Sequence, residues 1–370
     1  MAAPADRSAA RERSITAGLG HRDEPGDLRE HGGAPDTAGV ILLGCCAAWA
    51  LISAAGREAR PEGVLLAVLA VAAGYACGRI CGSLLPVAGT VVAAAGALAL
   101  AVAEQHGAVT GLGPAPSGHA GSAAALLVLS AGAACCAATA VRPPAARLLL
   151  WLTAVAAAGT ALAWGSASGC VAATAVVLCA LAAGRTHRRL PALAGFAMAA
   201  ALVAGACWAM AEDALPRWFT GPFEDRLGAD RMLLWQDAAD LARAHPVLGA
   251  GPDRFGELSP AAQLSLVPDG TPHSAALQQA AEQGLVGVLL LGALYCWMLY
   301  GLWRSPRPTP VVLSAGAALT ALAALATLGD ALSLTPVTAG AGLLAGLAMA
   351  RPAPESSAPA TGMTSGSGTR

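Results

Sequence analysis

The stretch TPHSAALQQAAEQGLVG, residues 271–287, places a lone histidine ahead of an apolar helix and a Gly-x-x-G pair. Thr271 is a preferred N-cap residue and Pro272 is favoured at the first helical position, so we expect His273 in the first turn of a helix. Unpaired backbone N–H groups and the helix dipole favour an anion there and disfavour a protonated imidazole. A neutral imidazole beside an anion site is suited to general-base catalysis. The alternative is a surface histidine at the membrane interface.

Glycines follow at two further points of this region. Gly284 and Gly287 are three residues apart, where the predicted helix enters the apolar run. Small residues there let a neighbouring helix approach closely or permit a bend. The earlier segment PVLGAGPDRF contains Gly249, Gly251 and Pro252, and we interpret it as a tight turn.

Two arginines are candidates for binding an anion. Arg231 and Trp235 are one turn apart in 229–245, a short predicted helix that ends at Pro246. An indole can hold a guanidinium by stacking, and arginine can bind a diphosphate through two hydrogen bonds. The alternative is an intrahelical ion pair of Arg231 with a neighbouring aspartate. Arg254 is the second candidate cation. The carboxylates of this region lack metal-ligand spacing, so no metal site is predicted.

The elements that position these residues are strongly apolar. Of 370 residues, 56% are hydrophobic and 12% are charged, which indicates a polytopic membrane protein embedded in the lipid bilayer. The net charge of −1 argues against nucleic-acid binding. All ten cysteines lie in apolar runs, where we expect them to pack as small hydrophobic side chains. Runs long enough to span predict about ten transmembrane helices, near 37–56, 63–80, 84–103, 121–141, 148–165, 168–184, 192–211, 285–303, 310–328 and 331–350.

The orientation follows from the arginines in short loops, because cytoplasmic loops carry an excess of them. With the N-terminus in the cytoplasm, only Arg57 and Arg60 of the first outer loop lie on the wrong side. We therefore predict a multi-pass plasma-membrane protein with both termini cytoplasmic and one large extracytoplasmic loop containing short helices. The predicted division is a disordered tail, a membrane domain, the large loop within that domain, and a second disordered tail, at 1–36, 37–350, 212–284 and 351–370.

The motifs of the loop resemble the O-antigen ligase and O-antigen polymerase-related membrane glycosyltransferases. HSAALQQAAEQGLVG matches the family pattern of His, then Asn, Ser or Gln, nine residues and Gly-x-x-G. RMLLW and HPVLGAGPDRF resemble Arg-x-x-x-Trp and His-Pro-x-x-Gly-x-Gly-Pro-x-x-Phe, in the same order within one loop. The resemblance covers the loop and the three helices after it, whereas the first seven helices match only in general character.

This resemblance implies an all-helical fold of the membrane glycosyltransferase C type, with an extracytoplasmic active site and no metal or cofactor. The implied enzyme transfers a glycan from polyprenyl diphosphate, such as undecaprenyl diphosphate, to a hydroxyl of a carbohydrate or glycolipid acceptor in cell-envelope polysaccharide biosynthesis. His273 would deprotonate the acceptor, and Arg231 would hold the diphosphate. Trp235 and Arg254 are the further substrate-binding candidates.

Two departures from the family pattern leave alternatives open. Family members carry Arg in a Ser-Arg-x-Gly pattern before the large loop, and the best match here, SASG, has Ala167 at that position. The helix number, about ten, is lower than the twelve common in the ligases. A polymerase of the same family, or a non-catalytic glycan-binding or transport protein on the same fold, are the alternatives.

Overall fold

The structure is a computed structural model that describes residues 27–106, 120–186, 188–214, 229–264 and 271–351. These residues form thirteen α-helices and no strand. In chain order the helices are α1 (Asp27–Ala54), α2 (Glu62–Leu84), α3 (Ala88–Gln105), α4 (Ala120–Ala140), α5 (Pro144–Ala163), α6 (Ala167–Ala183), α7 (Arg189–Ala211), α8 (Ala229–Ala244), α9 (Phe255–Leu258), α10 (Pro260–Leu264), α11 (Ala275–Arg304), α12 (Thr309–Leu328) and α13 (Thr335–Met349).

Eight helices in the described part of the chain are long and apolar enough to cross a bilayer. Helices α6 and α13 are equally apolar but have only 17 and 15 residues, which is about 25 Å of helix or less. Together they account for the ten predicted runs, and the all-helical polytopic membrane fold is confirmed. The last run was predicted from 331, but α13 begins at Thr335, with Pro336 in its first turn where a missing N–H costs no hydrogen bond.

The core of the bundle lies around α4 and α12. The most apolar stretches of these two helices are 89% and 78% buried. The short helix α13 packs against α2 through glycines on both helices. A Cβ atom on Gly78 would overlap the carbonyl oxygen of Leu343, and one on Gly346 would overlap that of Tyr75. Glycines at four-residue spacing therefore bring these two backbones into direct contact, as small residues do in membrane helix pairs.

Helix α1 lies along α11 over most of its length. The Trp297 indole N–H donates to the Pro35 carbonyl at 2.7 Å, near the start of α1. The Trp49 indole N–H donates to the Gln283 carbonyl at 3.1 Å, near its end. Two hydrogen bonds, one near each end of α1, thus attach this helix to α11, which follows the large loop.

The start of α1 and the end of α13 lie at the same end of the bundle. The Asp36 carboxylate accepts hydrogen bonds from Tyr75 Oη at 2.6 Å and from Arg79 Nη2 at 2.7 Å. Arg79 also donates to the Met349 carbonyl. Helix α1 begins at Asp27, so the last ten residues of the predicted disordered tail are helical, and the contacts of Asp36 explain why the segment docks. Residues 1–26 and 352–370 lie outside the described residues.

The large loop contributes the short helices α8, α9 and α10, which lie at the opposite end of the bundle, here called the loop end. Of the predicted loop, residues 215–228 and 265–270 lie outside the described part. A small apolar cluster joins α8 to the membrane helices, because Trp235 and Phe255 pack with Leu277 of α11 and Cys207 of α7. The loop is therefore folded onto the bundle.

Candidate active site

Arg231 lies in the first turn of α8, at the junction with the membrane helices. One guanidinium N–H, on Nη1, donates to the Leu328 carbonyl at 3.2 Å, at the C-terminus of α12, where a cation complements the helix dipole. Partial burial lowers the pKa of Arg231 from its ordinary value, yet a guanidinium stays protonated in proteins. This single bond uses one of its five N–H groups, so Arg231 can hold α12 and an anion together.

Trp235 has a different position from the one predicted. Its side chain is fully buried, and its indole N–H donates to the Pro272 carbonyl at 2.8 Å. A buried indole cannot stack on a substrate, so the structure gives Trp235 a positioning role. It ties α8 to the residue directly before His273, because the buried N–H needs a partner.

His273 precedes the helix instead of lying in its first turn. The N-cap residue is Ser274, whose Oγ accepts from the Leu277 backbone N–H at 3.5 Å. Thr271 was predicted as the N-cap and Pro272 as the first helical residue. Both predictions are wrong, because Ser274 has an extended backbone (φ −152°) and helical conformation begins only at Ala275.

The backbone of His273 is in the left-handed region, at φ 49°. That conformation is uncommon for residues other than glycine and recurs at functional sites, where the surrounding structure holds it in place. Here the neighbouring hydrogen bonds of Pro272 and Ser274 supply that restraint on both sides. The imidazole is half-buried, so it is fixed by the loop yet still reaches the surface.

Cys207 of α7 connects the His273 segment with the end of α12. Its Sγ lies 3.6 Å from the Ser274 Oγ and donates to the Thr327 carbonyl at 3.4 Å. Because Arg231 binds the next carbonyl along α12, Arg231 and the segment carrying His273 meet at one helix end. The sequence predicts Cys207 only as an apolar packing residue, and no local pattern indicates its contact with Ser274.

The Gly-x-x-G pair breaks α11. Gly284 has φ 68° and ψ −164° inside this helix, a conformation that is essentially restricted to glycine. The break frees backbone groups that a continuous helix would pair internally. The carbonyls of Ala281 and Glu282 accept instead from the N–H groups of Ala250 and Gly251, at 2.8 and 2.9 Å.

The turn before α9 packs with its backbone directly against the break in α11. We call this contact the glycine crossing; it consists of residues 246–252 and residues 281–285. The Leu285 N–H donates to the Pro246 carbonyl at 2.8 Å. A Cβ atom on Gly249 would overlap the backbone of Glu282. The predicted tight turn and the predicted bend are thus two sides of one contact, and each side requires a glycine.

The remaining motif residues support the glycine crossing. Gly251 has φ 111°, which residues with a side chain rarely adopt. Pro252 is fully buried, and its carbonyl accepts from the Arg60 backbone N–H at 3.2 Å. Gly287 makes room for a neighbour on its own helix, because a Cβ there would overlap the Gln283 side chain.

Glu282 is a buried carboxylate beneath the glycine crossing. It accepts from the backbone N–H groups of Asp253 and Phe255 and from Gln278 Nε2, the last at 3.3 Å. Such bonds are what a carboxylate removed from water requires. Glu282 therefore holds the start of α9 against α11, a role that the sequence alone did not indicate.

Arg254 lies at the glycine crossing, away from the Arg231 end. Its Nε is 3.6 Å from Glu257 Oε2, longer than a hydrogen bond. The helical segment from Ala275 to Gln283 separates the two ends of the site by about 13 Å. The structure brings Arg231 to the His273 segment but does not bring Arg254 there.

The loop between α1 and α2, which carries the two arginines that depart from the orientation rule, packs on the glycine crossing. Arg57 Nη1 donates to the Gly249 carbonyl at 2.6 Å. The position of a Cβ on Gly251 lies 3.3 Å from Arg254 Cδ and 3.6 Å from Arg57 Cδ, so the two arginine side chains approach each other. Arg57 and Trp49 are site-positioning residues that the sequence motifs missed.

Ala167 is exposed at the first position of α6, at the loop end. Ser166 caps this helix by accepting from the Gly169 N–H at 3.2 Å, so the SASG segment adopts an N-capped helix start without its cation. Within the described residues, no group of three or more His, Cys, Asp or Glu side chains could hold a metal ion.

Comparison with known proteins identifies the same region. Residues 152–292 match the family model described as O-antigen ligase. This match begins within α5 and includes α6, α7, the described part of the loop, the glycine crossing and α11 as far as Gly292. No curated protein and no solved structure matches the chain significantly. The ordered motifs and this match over residues 152–292 together support a relation of the chain to the O-antigen ligase family.

Proposed function

We propose that this protein transfers a glycan from a polyprenyl diphosphate to an acceptor hydroxyl on the extracytoplasmic face of the plasma membrane, with both termini cytoplasmic. The family match supports surface-polysaccharide assembly of the O-antigen ligase type. The observation that carries the proposal is the meeting of Arg231 with the His273 segment at the end of α12. A cation there is suited to stabilise the leaving diphosphate, and an imidazole there is suited to deprotonate the acceptor hydroxyl.

In the proposed step, the acceptor oxygen forms a bond to the anomeric carbon of the donor while the bond from that carbon to the diphosphate oxygen breaks. His273 accepts the acceptor's proton on its imidazole, and the polyprenyl diphosphate leaves with the bonding electrons. Arg231 stabilises the negative charge that develops on the diphosphate. The protein also holds both reactants in place, which lowers the entropic part of the barrier.

The principal test is transfer by the purified full-length protein, supplied with a polyprenyl-diphosphate glycan and an acceptor. His273→Ala should lower the rate by at least about 100-fold, the usual contribution of a general base. His106→Ala is the matched control, because His106 is an exposed histidine at the end of α3. Full transfer by His273→Ala would rule out the proposed mechanism.

Arg231→Ala should lower the rate by about 100- to 1,000-fold if Arg231 stabilises the leaving diphosphate. Arg231→Lys should recover only part of this loss, because lysine keeps the charge without the planar pair of donors. Arg243→Ala on the same helix is the control, since Arg243 is 58% exposed and pairs with Asp240. Equal losses for Arg231→Ala and Arg243→Ala would argue against a specific anion contact.

The proposal assigns the charge on the leaving group to side chains of the chain and includes no metal ion. We therefore expect transfer to continue in excess chelator. Loss of transfer in chelator, restored by a divalent cation, would contradict this part of the proposal.

Ala167 motivates the second candidate, a non-catalytic glycan-binding or transport protein of the same fold. If His273→Ala and Arg231→Ala both complement a deletion strain fully, the non-catalytic function is favoured. If the missing cation limits an active enzyme, Ala167→Arg should raise the rate of transfer.

A deletion strain also distinguishes ligase from polymerase. A ligase deletion should accumulate long lipid-linked chains, and a polymerase deletion should accumulate single repeats. No accumulation of either kind would argue against both.

A further inference from the structure

A small pocket with several charged wall residues lies at the end of the bundle opposite the large loop. The arginines in its wall come from three places in the fold: Arg79 on α2, Arg304 in the last turn of α11, and Arg351 after α13. Tyr75 and Asp36 complete the polar part of the wall. Nothing in the proposed glycan transfer uses this pocket.

The charges around the pocket do not cancel. Asp36 is its one acidic wall residue, and its carboxylate is bound by Arg79 and Tyr75. Arg304 and Arg351 are both exposed, and no carboxylate of the pocket wall remains for them. Two exposed cationic side chains therefore line a concave site, an arrangement that favours a phosphate-class anion.

An apolar groove lies between α7 and α11, and its last lining residue on α11, Trp303, directly precedes Arg304 of the pocket. Leu193, Ala197 and Leu299 line its floor, and the exposed rings of Tyr300 and Trp303 form its edge. The ring centroids are 5.8 Å apart. Exposed Tyr and Trp rings of this kind mark the level where hydrocarbon meets water.

Arg304 connects the two features. It follows Trp303 directly and lies one helical turn beyond Tyr300, on the same face of α11. Arg304 lines the pocket, and the groove residues Trp303, Tyr300 and Leu299 lie on the preceding turns of α11, in its apolar part. One molecule with an anionic head and a hydrocarbon chain complements both features.

We propose that this pocket and groove bind one anionic phospholipid, with its phosphate between Arg304 and Arg351 and an acyl chain along the groove. The excess of arginine in short loops alone does not explain the arrangement, because Arg142 and Arg147 lie exposed at the same end without lining the pocket. The distinguishing features are cations from separate helices converging on one concave site and the apolar groove beside it. The bound lipid joins α7, α11 and α13 at this end.

The test is native mass spectrometry of the purified full-length protein titrated with phosphatidylglycerol or phosphatidylcholine of identical acyl chains. We expect retained adducts of phosphatidylglycerol at concentrations where phosphatidylcholine gives none. Arg304→Ala combined with Arg351→Ala should weaken phosphatidylglycerol binding by about 10- to 30-fold. Arg142→Ala combined with Arg147→Ala is the matched control and should leave this binding unchanged.

A second variant tests the groove without changing charge. Leu193→Trp should fill the groove and also weaken phosphatidylglycerol binding. Equal retention of the two lipids, or equal losses in the two double-arginine variants, would overturn the proposal. Inorganic phosphate that competes fully with phosphatidylglycerol, together with unchanged binding by Leu193→Trp, would indicate a free-phosphate site and would also overturn it.

Discussion

Replacing Gly284 by alanine would place a methyl group inside the glycine crossing. The new Cβ would lie 2.6 Å from the Val247 carbonyl carbon and 2.8 Å from the Gly249 nitrogen, and it would overlap the Val247 oxygen. These are backbone atoms, which cannot rotate away as a flexible side chain could. The variant must therefore either separate the turn from α11 or change the conformation of the break.

The free-energy cost follows from two terms. Holding alanine at φ 68° and ψ −164° costs about 1–3 kcal/mol. Separating the two backbones instead loses the bonds of Leu285 to Pro246 and of Ala250 to Ala281, each worth about 0.5–1.5 kcal/mol net. With the steric overlap added, we expect the glycine crossing to be destabilised by about 3 kcal/mol, or roughly 100-fold in its opening equilibrium.

Hydrogen exchange of the full-length protein in detergent, followed by mass spectrometry, measures this opening directly. Peptides containing Ala250 and Leu285 should exchange roughly 100-fold faster in Gly284→Ala, while the centre of α12 should keep its protection. Gly292→Ala on the same helix is the matched control, because a Cβ at Gly292 meets nothing within 4 Å. Alanine should even favour this helix position by about 1 kcal/mol. Unchanged protection of the crossing in Gly284→Ala would refute the close-approach argument.

Two further predictions concern residues that position the site. Trp235→Phe keeps an aromatic ring at this buried position but leaves the Pro272 carbonyl without its donor. We expect a loss of stability of about 1–3 kcal/mol, measured by thermal unfolding, and a lower rate of transfer. Unchanged stability and rate would show that this bond does not position His273. Arg57→Ala removes the side-chain bond to the glycine crossing and should speed hydrogen exchange there. Arg60→Ala should not, because Arg60 contributes its backbone N–H; an equal effect of both variants would contradict a specific role for the Arg57 guanidinium.

The large features of the fold could be predicted because they depend on local properties of the chain. Apolar runs of sufficient length predict membrane helices wherever they occur. Helix α8 was predicted close to its observed bounds because Pro246 follows it. The glycine motifs were correctly interpreted as a turn and a bend, since positive φ angles select glycine whatever the partner is.

The start of α11 shows where local preference is insufficient. Thr271, Pro272 and Ser274 are all acceptable residues at a helix start, so the sequence permits more than one N-cap. Trp235 binds the Pro272 carbonyl and Cys207 contacts Ser274. With these contacts the helix begins at Ala275, later than predicted, and His273 lies before it.

Local sequence features are sufficient to predict the membrane class and the apolar segments, and they contain the ordered loop motifs with the resemblance that these motifs carry. Packing of distant segments buries Trp235, separates Arg254 from Arg231, and brings Arg57 to the Gly249 carbonyl across 192 residues of chain. The physical reason is the range of the interactions. Helix formation and turn conformation are decided over a few residues, whereas burial and hydrogen-bond partners depend on which distant segments the packed bundle brings together.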